Sequence, residues 1–381
     1  MCVYFDNAAT TKPRPEALTE FAHVSEEIYA NPNSAHAPGF AAERRLNACR
    51  AKITELVGAN LEVVFMSSGS ASNSLAMLGA TQNSGARSAK RRVISSMAEH
   101  SSVRNVCKYL EMTGHEVIYL PLDNDGNINL NDLEDALGEQ VSLVSLMHVN
   151  NETGVISDIE SIYKVVKKKN QKSILHVDGV AGFGKHRLDA RFIDVLTFAS
   201  HKVNGPKGVG GLCFTKSLAQ IYEVQGNDAG ISGILRHGTP DLPAIAAFTK
   251  AADLAYENLI PNTEKVTLIK KYIIEQTKHM DRTINGKGDV SPYILNMSFT
   301  GVTAETLINQ LSRRGVYVSA GSSCNSRKTD KNILRHYGID RARVESSVRL
   351  SFSCSNTLKE AEYFVAALND SLRMLRKFAK R

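Results

Sequence analysis

Short apolar runs alternate with longer segments of helical spacing along most of this chain. Val63-Val64-Phe65-Met66, Val93-Ile94-Ser95-Ser96, Val141 to Met147, Ser173 to Val177 and Asp194 to Phe198 are brief, rich in β-branched and aromatic side chains, and bounded by polar residues. That pattern predicts five buried strands. Glu43 to Val57 carries apolar residues at helical spacing and stops at Gly58, a natural C-terminal cap. A second helix is predicted through Leu75, Ala76, Met77 and Leu78, and a third begins at a cap on Ser101 or Ser102 and closes near Gly114. Strands alternating with helices predict an α/β fold, a mainly parallel sheet covered on its faces.

Each predicted strand hands over to polar residues just after its last apolar position. Ser67 to Asn73 follows the first, Glu99-His100 the second, His148 to Gly154 the third, Asp178 the fourth and Ser200-His201-Lys202 the fifth. In open parallel sheets ligands bind outside the carboxyl ends of the strands, so Ser70, His100, Asn151, Asp178 and Lys202 are expected around one crevice. The Ser67 to Asn73 segment joins a strand to a helix, and its backbone N–H groups with the positive end of that helix form a phosphate seat.

The glycine-rich stretch after Lys202, Asn204 to Gly211, lets the backbone approach a ligand closely. A desolvated lysine near other cations loses its proton readily, and its free amine condenses with an aldehyde. A lysine for that condensation, an aspartate to pair with a protonated ring nitrogen, and a phosphate cradle are the parts pyridoxal 5'-phosphate needs. Taken singly, each also has a plain structural use, as turn, cap or loop donor.

Composition narrows the field. The 381 residues exceed a usual single domain, and no apolar run reaches the ~18 residues of a membrane span. The N-terminal residues show no signal-peptide pattern, which makes the cytoplasm the expected location. Cys2, Cys49, Cys107, Cys213, Cys324 and Cys354 are scattered, without Cys-x-x-Cys spacing or histidines at ligand distance, so no metal site is expected. The net charge of +7 is spread over helix faces and the C-terminal tail, with no nucleic-acid motif; direct nucleic-acid binding is not expected. Cys324 stands apart, in the small-residue segment Ser319 to Lys328, where adjacent cations favour its thiolate.

Over nearly its whole length the chain resembles the NifS/IscS-type cysteine desulfurases, in the class V aminotransferase group of fold type I pyridoxal phosphate enzymes. The resemblance is carried by Phe5 to Thr11, Asn31 to His36, Glu99-His100, Met147 to Gly154, His176-Val177-Asp178, His201-Lys202, Gly205 to Gly208 and Gly321 to Cys324. It implies that Lys202 binds the cofactor aldehyde and shuttles a proton, that His100 stacks on the ring and acts as acid or base, and that Asp178 pairs with the ring nitrogen. Asn151 and Arg349 would hold the substrate carboxylate. Ser70, Ala71, Ser200 and His201 would lie at the phosphate, with Thr239 reaching the phosphate of a neighbouring subunit in a homodimer. Cys324 would be the nucleophile that takes sulfur from L-cysteine as a persulfide, leaving L-alanine, for an acceptor or scaffold protein in iron–sulfur cluster assembly or RNA thiolation.

Five positions depart from the family pattern. Ala181 stands for a glutamine that donates to the ring's phenolic oxygen, and Ala199 for a phosphate-binding serine beside Ser200. Ala71 replaces an acidic residue, Gln225 to Gly230 replaces a Gly-Gly-Gly-Gln-Glu string, and Cys354 replaces a glycine. Charge-assisted hydrogen bonds lost this way are each worth about 1.5–3 kcal/mol, so weaker cofactor binding is expected. Two other readings stay open: a related lyase or aminotransferase acting on selenocysteine or a cysteine derivative, and a non-catalytic member of the fold. The expected architecture is a large cofactor-binding domain over residues 15–239, with a seven-stranded type of sheet. A smaller α/β domain, residues 1–14 and 240–381, would carry Cys324 and Arg349.

Overall fold

The strands form a seven-stranded and a four-stranded sheet with separate cores, and a two-stranded pair. The computed structural model describes residues 1–58, 61–82, 92–123, 125–222, 238–321 and 333–379. Its strands are β1 (Val3–Tyr4), β2 (Leu61–Met66), β3 (Arg92–Ser96), β4 (Glu116–Leu120), β5 (Val141–Met147), β6 (Ile174–Asp178) and β7 (Val195–Ala199). They continue with β8 (Gly210–Thr215), β9 (Arg282–Asn285), β10 (Ile294–Phe299), β11 (Val316–Tyr317), β12 (Ser319–Ala320) and β13 (Ser347–Ser351).

Seven of these form the large sheet in the order β2-β8-β7-β6-β5-β3-β4. The stretch from β7 to β4 is parallel, and β8 runs antiparallel to both its neighbours, so the expected α/β architecture with a mainly parallel sheet is present. Every residue of β5, β6 and β7 is buried, as a sheet covered on both faces requires. Val144, Leu146, Leu175, Val177, Leu196 and Phe198 face one core, and Leu143, Ile174 and Val195 the other. Helices Ala37–Val57 and Leu242–Glu257 cover the first face, and Gly69–Gln82 with Ser101–Met112 the second.

The smaller antiparallel sheet, β12-β13-β10-β9, has its own core, to which helices Leu259–Gln276, Ala304–Arg313 and Leu358–Ala379 contribute. Val3 and Phe5 belong to that core, and β1 pairs with β11. The residues that follow, Ala8 to Thr11, instead bind the large sheet: the Thr11 N–H donates to the His201 carbonyl at 2.8 Å. The N-terminal segment is thus a strap across both sheets.

Several boundaries differ from the sequence reading. Helix Leu242–Glu257, expected in the smaller domain, places Leu242, Ala244, Ile245, Ala246, Phe248, Ala252 and Ala255 in the large-sheet core. Its alanine-rich face packs closely on helices Pro15–Glu27 and Ala37–Val57. The helix ending at Val57 starts at Ala37, its first turn built on Pro38 with His36 as cap. The cradle after β2 is shorter than expected, because the next helix already begins at Gly69. His100, rather than a serine, caps the helix Ser101–Met112, its ring nitrogen accepting from the Ser102 N–H.

Phe198 stacks between Phe183 and Phe248, with ring centroids at 4.9 and 5.3 Å, and is fully buried. Replacing it with alanine removes a large ring that anchors β7 one residue before the turn to Lys202. Phe198→Ala is expected to lower unfolding free energy by about 3–5 kcal/mol in urea titrations; a loss below about 1 kcal/mol would show that the stack does not hold the strand.

Candidate active site

The carboxyl ends of β2, β3, β5, β6 and β7 open on a cleft of about 540 Å³, closed from the other side by Tyr293, Ile294, Arg349 and Ser351. Ser70, His100, Asn151, Asp178, His201 and Lys202 all line it. Polar residues delivered one by one at successive strand ends therefore do converge, as the parallel topology predicts.

Lys202 ends a 3₁₀ turn, Ser200–Lys202, that begins where β7 stops. Two residues later Asn204 takes φ of 62°, a left-handed conformation that asparagine tolerates. That turn aims the lysine amine at the strap, where it donates to the carbonyls of Ala8 and, at 2.9 Å, Ala9. Burial, and then the charge of Arg349, push its pKa down to about 8. More of the amine is thus unprotonated near neutrality than for a water-exposed lysine, as attack on an aldehyde requires.

Asp178 closes β6 and is buried. Its Oδ2 accepts from Asn73 Nδ2 at 2.8 Å and its Oδ1 from the Val180 N–H at 3.0 Å. His100 stands open to the cleft, its Nδ1 receiving the Ser102 N–H at 3.2 Å. The preceding residue, Glu99, is buried and its pKa is raised to about 8, chiefly by desolvation. Its Oε1 accepts from Ser96 Oγ and from the Met147 N–H, tying the ends of β3 and β5. His201 is kept neutral near pH 7, its pKa lowered to about 4 by burial and then by Lys202.

Arg349, on β13, is buried and already paired. Its Nη1 donates to Glu152 Oε1 and to the Asn151 carbonyl, each at 3.0 Å, and its Nη2 to Asp6 Oδ1 at 3.2 Å. Glu152 Oε1 also accepts from Asn151 Nδ2 at 3.0 Å, while Asn151 Oδ1 is shielded from water and has no partner among the described residues. The sequence motifs contained Asp6 and Glu152, yet their pairing with a distant arginine is a long-range contact that no local signal marks.

Ala71 and Ser200 were expected at the cofactor, but neither lines this cleft. Ala71 packs toward the second core and its N–H donates to Ser68 Oγ at 3.1 Å. Ser200 is fully buried, its hydroxyl without a partner among the described residues and lying where a side chain at Gly205 would clash. The 3₁₀ turn rotates it away while bringing His201 and Lys202 round. Thr239 is exposed on a separate hollow of about 220 Å³ with Ser67, Gly208 and Ile245. Cys324 lies outside the described residues.

The donor set suits pyridoxal phosphate. A buried carboxylate, a lysine amine of lowered pKa and the N-terminus of helix Gly69–Gln82 surround one space, and the helix start is drawn in by two glycines. A Cβ on Gly69 would meet the Ala199 methyl at 3.0 Å, and one on Gly210 would meet Ser68 backbone at 2.3 Å. Ala181 and Ala199 line the cleft with methyl groups, which carry no hydrogen-bond donor. Among the described residues no cluster of three His, Cys, Asp or Glu side chains could hold a metal, and no helix is long and apolar enough to cross a membrane.

Comparison with known proteins agrees with this geometry. The aminotransferase class-V family model matches residues 3–364. A NifS/IcsS protein homolog of Lactobacillus delbrueckii subsp. bulgaricus is 36% identical, the match covering 97% of this chain and 96% of that protein. The cysteine desulfurase IscS of Clostridium botulinum is 30% identical over 99% of this chain and 96% of its own length. A solved structure of a NifS-like protein superposes with a TM-score of 0.87 at 31% identity, covering 98% of this chain and all of the other.

The lowered pKa of Lys202 has a measurable consequence. Labelling of Lys202 by a small aldehyde, trapped by borohydride and followed by mass spectrometry, is expected to rise with pH and level off above about 8. The sign follows from the cause, since burial and a neighbouring guanidinium both disfavour the ammonium form. A midpoint near the ordinary lysine value of about 10.4 would show a water-exposed amine instead.

Proposed function

The chain belongs to the aminotransferase class-V family, and from that premise we propose that it is a pyridoxal phosphate-dependent cysteine desulfurase. The observation that carries this reading is the convergence of Lys202, Asp178, His100 and Arg349 on one cleft, in a chain related over its full length to proteins named cysteine desulfurase. When bound, pyridoxal phosphate supplies an aldehyde for attachment and a ring that takes up electron density from the substrate.

The residues divide the remaining work. Lys202 would provide the amine that holds the cofactor and the base that moves a proton at the substrate's α carbon. Asp178, fixed by Asn73 and the Val180 N–H, offers its carboxylate to a ring nitrogen and favours that nitrogen's protonated form. His100 covers the cleft with an open imidazole. Ser68, Gly69 and Ser70, at the helix N-terminus, with the neutral His201, face the phosphate end.

Arg349 and Asn151 hold the substrate carboxylate. Asp6 and Glu152 already hold two of the guanidinium nitrogens, so an incoming carboxylate competes with bound acids, while Arg349 Nε has no partner among the described residues. Cys324 receives the sulfur: one substrate L-cysteine and the Cys324 thiol give L-alanine and a Cys324 persulfide. The two thiols join through a sulfur–sulfur bond as the carbon–sulfur bond of the substrate becomes carbon–hydrogen. The persulfide then passes to an acceptor or scaffold protein of iron–sulfur cluster assembly or RNA thiolation in the cytoplasm. Thr239, exposed away from its own chain's cleft, supports a homodimer in which it serves the partner's phosphate.

Purified protein loaded with pyridoxal phosphate is expected to release alanine from L-cysteine and to carry a persulfide on Cys324 by mass spectrometry. Lys202→Ala should abolish both. Cys324→Ser should abolish the persulfide and lower sulfide release by at least about a hundredfold, a loss typical of removing a nucleophile. Alanine formation that survives Cys324→Ser would favour a lyase or aminotransferase; failure to take up the cofactor at all would favour a non-catalytic role. Arg349→Gln is expected to raise the KM for L-cysteine by roughly tenfold or more, since the substrate loses a charge-assisted partner; an unchanged KM would remove Arg349 from substrate binding.

A further inference from the structure

A band of polar side chains crosses the sheet face that helix Gly69–Gln82 covers, in the midst of apolar packing. The period of two puts Ser95 of β3, Ser145 of β5, His176 and Asp178 of β6 and Thr197 of β7 on the face whose other members, such as Val93, Leu143, Ile174 and Val195, build the second core. Asn73, in the second turn of the covering helix, meets this band. Ser95, Ser145, His176, Thr197 and Asn73 are each no more than 1% exposed. Buried polar groups at such a density must satisfy one another.

Their hydrogen bonds have only one consistent direction. Asp178, as a carboxylate, can only accept, so the Asn73 atom at 2.8 Å from its Oδ2 is the amide nitrogen. The amide oxygen then faces Thr197, whose hydroxyl donates to it at 2.5 Å. With its one proton committed, Thr197 Oγ1 must accept from His176 Nε2 at 3.2 Å, so the proton of His176 is on Nε2. Its Nδ1 is left to accept from Ser145 Oγ at 2.8 Å. Burial supports this arrangement by lowering the pKa of His176 to about 4, which leaves a single ring proton near neutrality. The second N–H of Asn73 goes to Ser102 Oγ at 2.9 Å, and that hydroxyl, having accepted, donates to His100 Nδ1 at 2.8 Å.

We propose that Asn73 is the positioning residue of this site, locked by a one-way hydrogen-bond chain from Ser145 through His176 and Thr197 so that its amide presents one N–H to Asp178 and the other to Ser102, whose hydroxyl joins its own backbone N–H in holding the tautomer of His100. One side chain thereby orders both groups that face the ring of a cofactor. Asp178 is held as an acceptor in a fixed orientation, and His100 is held with its proton on Nε2. The chain is a property of the protein alone; it rests on the function proposed above only for what the two ordered groups serve. Thr197 and His176 touch neither cleft nor substrate, and act through Asn73.

The test reads the tautomers directly. Full-length protein labelled with ¹⁵N-histidine, examined without and with pyridoxamine 5'-phosphate, is expected to show His176 and His100 as Nε2–H, their signals identified from His176→Gln and His100→Gln spectra. Pyridoxamine phosphate cannot bond covalently to Lys202, so its affinity reports on the ring contacts. Thr197→Val should move the His176 proton to Nδ1, where Ser145 Oγ can accept it, and weaken pyridoxamine phosphate binding roughly five- to tenfold, the effect of one buried hydrogen bond. Thr197→Ser keeps the hydroxyl and should restore both readouts, which a loss of packing alone would not. An Nδ1–H signal for either histidine in the unsubstituted protein overturns the chain, and that spectrum decides even if Thr197→Val fails to fold. An affinity unchanged in folded Thr197→Val overturns the positioning role. Failure of the unsubstituted protein to bind pyridoxamine phosphate counts against the proposed function and leaves the tautomer result to stand on its own.

Discussion

The buried guanidinium of Arg349 is the point at which all parts of the molecule meet. It belongs to β13 of the smaller sheet, its Nη1 bonds reach Asn151 and Glu152 beyond β5 of the large sheet, and its Nη2 bond reaches Asp6 on the N-terminal strap. A buried ion pair is a weak source of net stability, because two charges lose their water, but losing one partner of such a pair costs about 3–5 kcal/mol. The arrangement therefore specifies more than it stabilises. With Asp6 and Glu152 in place, the two sheets adopt the spacing that gives the cleft its second wall. Asp6 in turn accepts from Ser319 Oγ at 2.7 Å, so the strand leading toward Gly321 is referenced to the same charge.

The same guanidinium reaches into the chemistry. After burial, it is the largest influence lowering the pKa of Lys202, while Asp6, Asp178 and Glu152 oppose it. The guanidinium and the lysine amine thus share one electrostatic environment, with the strap carrying both Asp6 and the carbonyls of Ala8 and Ala9 that receive the amine.

Much of this was legible in the sequence because it is local. Strand runs, the Gly58 stop and the polar residue after each strand are short-range patterns, and parallel topology then brings Asp178, Asn151, His100 and Lys202 together without further information. What escaped is what tertiary contact decides. Leu242–Glu257 reads as any apolar helix, and only its fit against two other helices assigns it to the large sheet. His100 serves as a helix cap as well as a cleft residue, a double use that a search for serine caps passes over. Ser200 and His201 are neighbours in sequence, yet a 3₁₀ turn of three residues sends one into the interior and the other into the cleft. Thr197 and His176 lie within strands predicted as apolar, and their partnership with Asn73 spans three elements.

The two methyl groups in the cleft change how a phosphate can be gripped. Ala199 lies against Gly69, directly beneath the start of the helix, where a serine would have put a hydroxyl. Ser200 offers no substitute, since its hydroxyl is buried against Gly205. With His201 neutral, that ring brings no charge of its own, and the helix terminus with its N–H groups contributes roughly half an elementary charge. Ala181 removes a further donor from the ring end. Charge-assisted bonds of the kind a serine or glutamine would offer there are worth about 1.5–3 kcal/mol each. On the proposed function, the hold on the cofactor would rest more on the Lys202 amine and the carboxylate of Asp178. That places an unusual demand on Asp178 being correctly aimed, and it explains in physical terms why the polar band beneath it is buried, saturated and directional even though apolar packing would have been the cheaper solution for a sheet face.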